Sequence, residues 1–239
     1  MAFRLLLNIW PEPMYDCHVQ ALPPEMNPPT NREAHLWVIP LETGVNSLGN
    51  CLSPAELNRM NHFRGARRRR FCAAHTAIRK VLSGYTDTPP EAVALSTPYG
   101  ASPTLRGFQL SLSYCDDLAV LAVSSSSPVG VDVEPETAAE DTDLAELAFA
   151  TLTDGEFEMF ARLDPTAKPS WWLRAWVRKE AALKARGEGI SDRVPSEVDV
   201  SASHMDGLAL RDLDLKSRHL CSVAARPVVH TWNVRGWPC

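Results

Sequence analysis

The chain has 239 residues, 45% hydrophobic and 22% charged, with a net charge of −5. That length suits one large soluble domain or two small ones, and the acidic balance excludes the overall basic field of a nucleic-acid binder. The six cysteines form no CxxC pair, which argues against structural zinc, and no apolar run approaches the roughly 20 residues that span a bilayer.

The run Leu5 to Trp10 is too short for a secretory leader and lacks a small-residue cleavage site, so a reduced, cytoplasmic protein is expected. Pro23-Pro24 and Pro28-Pro29 mark residues 1–34 as a loose N-terminal arm. His35 to Leu41 reads as a strand ended near Pro40. Ser53-Pro54-Ala55-Glu56 supplies an N-cap, a first-turn proline and an acid at the third helical position, and so starts a helix. Arg67 to Arg70 lead into a helix with Phe71, Ala74, His75, Ile78, Val81 and Leu82 on one stripe, closed by Gly84. Arginines at a helix start oppose the dipole. They read either as a solvated helix start or as the seat of an anion. His75, on the apolar stripe, reads as a satisfied core histidine before it reads as a ligand.

Leu110 to Ser113, the acidic turn Tyr114 to Asp117, and Leu118 to Ser124 read as a hairpin. Ser124 to Pro128 then turn the chain into SPVGVDVEPE, a third strand, and three successive strands predict one antiparallel sheet. Residues 137–165 read as mainly helical, with Leu144, Leu147 and Ala148 at helical spacing and a new helix starting at Thr153 to Glu156. Trp171 to Gly187 is a strong helix ending at glycine. Glu197 to Val200 and Leu220 to Ala224 read as further strands. No internal repeat is visible at the level of identity.

Two elements carry a chemical question. In the strand, Val129, Val131 and Val133 take one face; Gly130, Asp132 and Glu134 take the other, setting two carboxylates side by side. In the Trp171 helix, Glu180 lies in the middle of the face formed by Leu173, Trp176, Val177 and Leu183, with Lys184 one turn further on. A buried carboxylate needs a partner. One reading is an i,i+4 salt bridge from Glu180 to Lys184. The other gathers Asp132, Glu134 and Glu180 around a divalent cation; three carboxylates with water and phosphate oxygens suit Mg²⁺. Periodicity alone does not bring the two elements together.

GVDVE followed by WVRKEAALKARGEG resembles the signature pair of the Sfp-type 4′-phosphopantetheinyl transferases, from about His35 to Ile190. The resemblance implies an α+β fold of two similar α/β halves related by pseudo-twofold symmetry, residues 35–127 forming the coenzyme A nucleotide side and 128–239 the metal side. It implies transfer of phosphopantetheine from coenzyme A to a serine of an acyl- or peptidyl-carrier protein of fatty-acid, polyketide or nonribosomal-peptide synthesis. Mg²⁺ would be held by Asp132, Glu134 and Glu180. Glu180 would serve as base, Lys184 as the phosphate contact with Lys179 nearby, and Glu156 as an assisting acid. Arg69 and Arg70 would face the 3′-phosphate, and Ser111 would remain from a coenzyme A-binding strand. A monomer without nucleic-acid or membrane partners is implied. The family's G-K-P lysine is replaced within Gly100-Ala101-Ser102-Pro103, its strand histidine by Leu112 and a helix arginine by His75. These departures leave a second reading open: a repurposed relative with weak or no coenzyme A transfer that acts on or binds a carrier-linked substrate.

Overall fold

Two long helices, each preceded by a short capped helix and followed by a β-meander, organise the chain. The computed structural model describes residues 15–16, 26–41, 51–96, 103–115, 117–139, 143–188, 195–205, 207–215 and 217–236. The elements are β1 (Tyr15–Asp16), β2 (Glu33–Pro40), α1 (Pro54–Asn61), α2 (Gly65–Thr86), β3 (Thr104–Leu105), β4 (Phe108–Tyr114), β5 (Leu118–Ser124), β6 (Val129–Pro135), α3 (Leu144–Thr151), α4 (Asp154–Ala161), α5 (Lys168–Arg186), β7 (His204–Met205), β8 (Leu208–Asp214), β9 (His219–Ala225) and β10 (Thr231–Gly236). The fold is α+β, as expected.

The chain divides into two units, which we call N-terminal (18–127 and 229–239) and C-terminal (1–17 and 128–228). The N-terminal unit holds a five-stranded sheet in the order β10-β2-β5-β4-β3, antiparallel except that β10 runs parallel to β2. Its core joins Ala74, Ile78 and Leu82 of α2 to Trp37 of β2 and Leu121 of β5. The C-terminal unit holds the order β1-β8-β9-β6, with β7 also on β8. Its core joins α5 to α3, α4 and β8 through Leu173, Val177, Leu183, Ala148, Phe160 and Leu210.

Several expectations are corrected. The third strand does not extend the sheet of the hairpin: β6 pairs with β9 instead. Ser124 Oγ accepts from the amides of Ser126 and Ser127, which turns the chain out of β5 before Pro128. Residues 231–236, expected in the second half, add β10 to β2 and belong to the N-terminal unit. Gly84 does not close α2; the helix runs to Thr86 and ends at Asp87 in the left-handed region, φ 49°. Glu197 to Val200 is not a strand, because Pro195 opens a 3₁₀ turn and Val200 spends its N–H on Glu156 and its carbonyl on Arg178. Strand β8, LALRDLD, was not anticipated.

The two units repeat one order of elements: α1-α2-β3-β4-β5 in one, α4-α5-β7-β8-β9 in the other. Each short helix opens on a capping box, Ser53 with Glu56 and Thr153 with Glu156. Each β-meander begins with a tight turn at a glycine of positive φ, Gly107 at 86° and Gly207 at 78°, where a side chain would be strained. The repeat lies in roles and spacing, not in matching letters.

Candidate active site

Strand β6 and helix α5 meet at Gly130. A Cβ there would lie 1.8 Å from the carbonyl oxygen of Ala181 and 2.6 Å from the amide nitrogen of Ala185. Only glycine permits that approach, and the small Ala181 and Ala185 complete it. Strand alternation then turns Asp132 and Glu134 to the same side of β6 as Gly130, toward α5. The face of β6 that carries two acids is the face against which α5 lies.

Helix α5 brings Glu180 and Lys184 to meet them. Asp132 is 3% exposed and Glu180 8% exposed, while Glu134 is half-buried. Lys184 Nζ lies 2.6 Å from Asp132 Oδ1, so the lysine crosses to the strand and the Glu180–Lys184 salt bridge is not the arrangement adopted. Burial pushes the Glu180 carboxyl up from 4.5 to about 7; Lys184 opposes the shift, and the charges of Asp132 and Glu134 add to it. Glu180 Oε1 is buried and has no hydrogen-bond partner among the described residues. The three carboxylates are not gathered within 4.8 Å of one another as a closed cage; Lys184 is the cation beside Asp132. An all-oxygen donor set, a buried carboxylate oxygen without a partner and a like-charged neighbourhood fit a hard divalent cation such as Mg²⁺.

Lys179 and Glu156 do not join this cluster. Both are fully buried, and Lys179 Nζ lies 2.6 Å from Glu156 Oε2. The same ammonium donates to the carbonyls of Pro195 and Val198. Glu156 also accepts from the amides of Thr153 and Val200. The expectation that Lys179 reaches toward phosphate, and that Glu156 assists the metal, is corrected: the pair is spent inside the unit. Next to it, Arg178 makes a two-pronged contact with Asp212 of β8, Nε to Oδ1 at 2.8 Å and Nη2 to Oδ2 at 2.7 Å, and donates to the carbonyl of Val200. Sequence reading missed Asp212 and Arg178. For Asp212 the signal was present in three charges, Arg211, Asp212 and Asp214, within the otherwise apolar segment LALRDLD.

Arg69, Arg70 and Ser111 belong to the N-terminal unit. Arg69 is exposed and Arg70 half-buried in the first turns of α2, and Ser111 is fully buried in β4. Leu112 packs against that unit's core. The Gly100-Ala101-Ser102 departure lies outside the described residues. His75 is a core histidine here. It is 2% exposed, stacks on Phe71 at 4.0 Å and places Nδ1 2.9 Å from Glu56 Oε1.

Comparison with known proteins agrees with the geometry. The 4′-phosphopantetheinyl transferase superfamily profile matches residues 128–230, which include both β6 and α5. Over 221 residues the chain is 30% identical to the 4′-phosphopantetheinyl transferase HetI of Nostoc sp., covering 86% of this chain and 92% of that protein. It is 29% identical over 126 residues to the 4′-phosphopantetheinyl transferase psf-1 of Bacillus pumilus, 52% of each chain. It is 26% identical over 153 residues to the L-aminoadipate-semialdehyde dehydrogenase-phosphopantetheinyl transferase of Xenopus laevis, 59% of this chain and 51% of that protein. The chain is therefore a transferase and belongs to the 4′-phosphopantetheinyl transferase superfamily.

Proposed function

We propose that the protein transfers 4′-phosphopantetheine from coenzyme A to a serine of an acyl- or peptidyl-carrier protein in a Mg²⁺-dependent reaction. The observation that supports this reading most is the meeting of Asp132 and Glu134 with Glu180 and Lys184 at the Gly130 contact. Asp132, Glu134 and Glu180 would hold the ion, which when bound supplies positive charge against the pyrophosphate oxygens.

The remaining chemistry rests on the chain's own groups. The serine oxygen forms a bond to the phosphorus that carries pantetheine. The bond from that phosphorus to the adenosine-side phosphate breaks, and adenosine 3′,5′-bisphosphate leaves. Glu180, buried beside Asp132 and Glu134, is the residue proposed to take the serine proton directly or through water. Lys184 lies where its charge can pass from Asp132 to a phosphate oxygen as negative charge develops. Arg69 and Arg70, exposed and half-buried at the start of α2, are the residues proposed for the 3′-phosphate; Ser111, fully buried in β4, has no exposure through which to reach the substrate.

The test is mass spectrometry of apo carrier proteins of the fatty-acid, polyketide and nonribosomal-peptide types, incubated with coenzyme A and Mg²⁺. One phosphopantetheine should be gained by at least one carrier, and the gain should vanish in Asp132→Ala and Glu180→Gln. Calorimetry with coenzyme A, with and without Mg²⁺, gives the second readout. No mass gain on any carrier, together with coenzyme A binding indifferent to Mg²⁺, would show a protein of this family put to another use.

A further inference from the structure

The Glu156–Lys179 pair has a counterpart in the other unit. Glu56, the capping-box acid of α1, accepts from Arg79 Nε of α2 at 2.5 Å. Arg79 Nη1 then donates to the carbonyls of Pro90 and Val93 at 2.9 and 3.0 Å. Lys179 makes the same set: the capping-box acid Glu156, and the carbonyls of Pro195 and Val198. Both cations are almost fully buried, and both carbonyl pairs frame a proline-initiated 3₁₀ turn, Pro90–Ala92 and Pro195–Glu197. One device therefore fastens each long helix to the short helix before it and to the turn after it. What differs is the next residue along the helix: exposed Lys80 in one unit, buried Glu180 in the other.

We propose that Lys179, through its pair with Glu156, is a positioning residue that sets the rotation and register of α5 so that Glu180 faces Asp132 and Glu134. Two independent observations carry this. The ammonium has no exposure through which to reach a substrate. The same construction recurs around Arg79, where the next residue along the helix is exposed Lys80 and not an acid. Glu180 follows Lys179 directly, so slippage of the helix at 179 displaces the carboxylate by the same amount. The inference rests on the proposed Mg²⁺-dependent transfer, and wild-type Mg²⁺ binding and transfer serve as the control that separates failure of that reading from failure of this one.

Neutralising one partner alone leaves a buried charge stranded, so the pair is neutralised together as Glu156→Gln with Lys179→Met. In the folded double variant, Mg²⁺ binding by the coenzyme A-free protein should weaken about tenfold, and kcat should fall about as much, as expected when a supporting contact behind a ligand is lost. KM for coenzyme A should stay within about twofold, because no substrate contact has been removed. Lys179→Arg, which copies the residue used in the other unit, should restore Mg²⁺ binding and kcat to wild-type values. A selective rise in KM for coenzyme A with Mg²⁺ binding unchanged would instead make Lys179 a phosphate contact and overturn the proposal. Wild-type Mg²⁺ binding and kcat in the folded double variant would reduce the pair to a stability element and also overturn it. If the double variant does not fold, Lys179→Arg alone decides: unchanged KM and kcat support positioning, and a raised KM with unchanged Mg²⁺ binding refutes it.

Discussion

Between pH 4.5 and about 7 the folded chain keeps a proton on Glu180 that the unfolded chain releases. A raised carboxyl value means stability is fully present below 4.5 and is lost as pH rises toward 7. Without metal, wild type should therefore weaken over this window by on the order of 2–3 kcal/mol, while Glu180→Gln should not. Urea unfolding at pH 5 and pH 8 in the presence of a chelator checks the sign; equal pH dependence in both proteins would remove the burial argument. Mg²⁺ at pH 8 should stabilise wild type and leave Glu180→Gln unmoved. Lys184 gives a second residue-scale prediction. Its ammonium and Mg²⁺ compete for Asp132, so Lys184→Met should tighten Mg²⁺ binding in the coenzyme A-free protein. Transfer should nevertheless fall roughly a hundredfold, because a cation is then missing when phosphate charge develops. Much of this site was legible in the residues. The like-charged pair on β6 and the inward Glu180 each announced an electrostatic need that local structure could not meet. What the letters could not say was that Lys184 turns to Asp132 and Lys179 turns away to Glu156, since both are choices among partners distant in sequence.

At the scale of elements, the β6–α5 contact is the joint on which the site depends. Gly130→Ala sets a Cβ against backbone atoms of α5, which cannot rotate away as a side chain can. Strand and helix must separate, at a cost of about 3 kcal/mol or more, and Asp132 and Glu134 move away from Glu180 with them. Gly155 in α4 is the contrasting case. Nothing lies within 4 Å of its Cβ position and its φ is not positive, so Gly155→Ala should stabilise by roughly 0.5–1 kcal/mol with transfer unchanged. Paired thermal melts check both, and a neutral Gly130→Ala would dissolve the joint. Helices were the legible elements because their signals are local: Ser53 and Thr153 cap, Glu56 and Glu156 answer, and Gly187 closes α5 at φ 72°. Strand partnership was not legible. β6 pairs with β9, which lies more than eighty residues later in the chain, and β10 pairs with β2 from the far end of the chain. The apolar alternation of Val198 and Val200 imitated a strand, although the backbone groups of Val200 are bonded to Glu156 and Arg178.

Across the whole molecule, the two units carry titrating groups of opposite effect. In the N-terminal unit, His35 Nδ1 lies 2.6 Å from Tyr85 Oη and its Nε2 lies 3.2 Å from Arg235 Nη2. Arginine can only donate, so Nε2 accepts and the proton sits on Nδ1. Burial lowers the imidazole from 6.5 to about 4, and the Arg235 charge adds to this, with Glu33 opposing. The folded unit thus refuses a proton that the unfolded chain accepts. Its stability is present above pH 6.5 and is lost as pH falls toward 4. Glu56 extends the loss at lower pH. Burial alone would raise its carboxyl, but hydrogen bonds from His75, Ser53 and Arg79 outweigh that and lower it from 4.5 to about 2, so its contribution is lost below 4.5. In the C-terminal unit, Glu180 acts the other way and gains stability as pH falls from about 7. Asp212, lowered from 3.8 by Arg178, Ser222 and Arg174 against its own burial, weakens that unit only below this window. Acidifying metal-free protein from pH 7.5 to 5 should therefore lower protection of the β5 amides by about 2 kcal/mol and raise that of the β9 amides by a similar amount. Hydrogen exchange, corrected for its intrinsic pH dependence, reads both at once. His35→Gln should flatten the β5 response even where it lowers stability overall, and Glu180→Gln should flatten the β9 response. Protection that moves with the same sign in both strands would mean that the two cores open together, and the separate accounting of His35 and Glu180 would then fail.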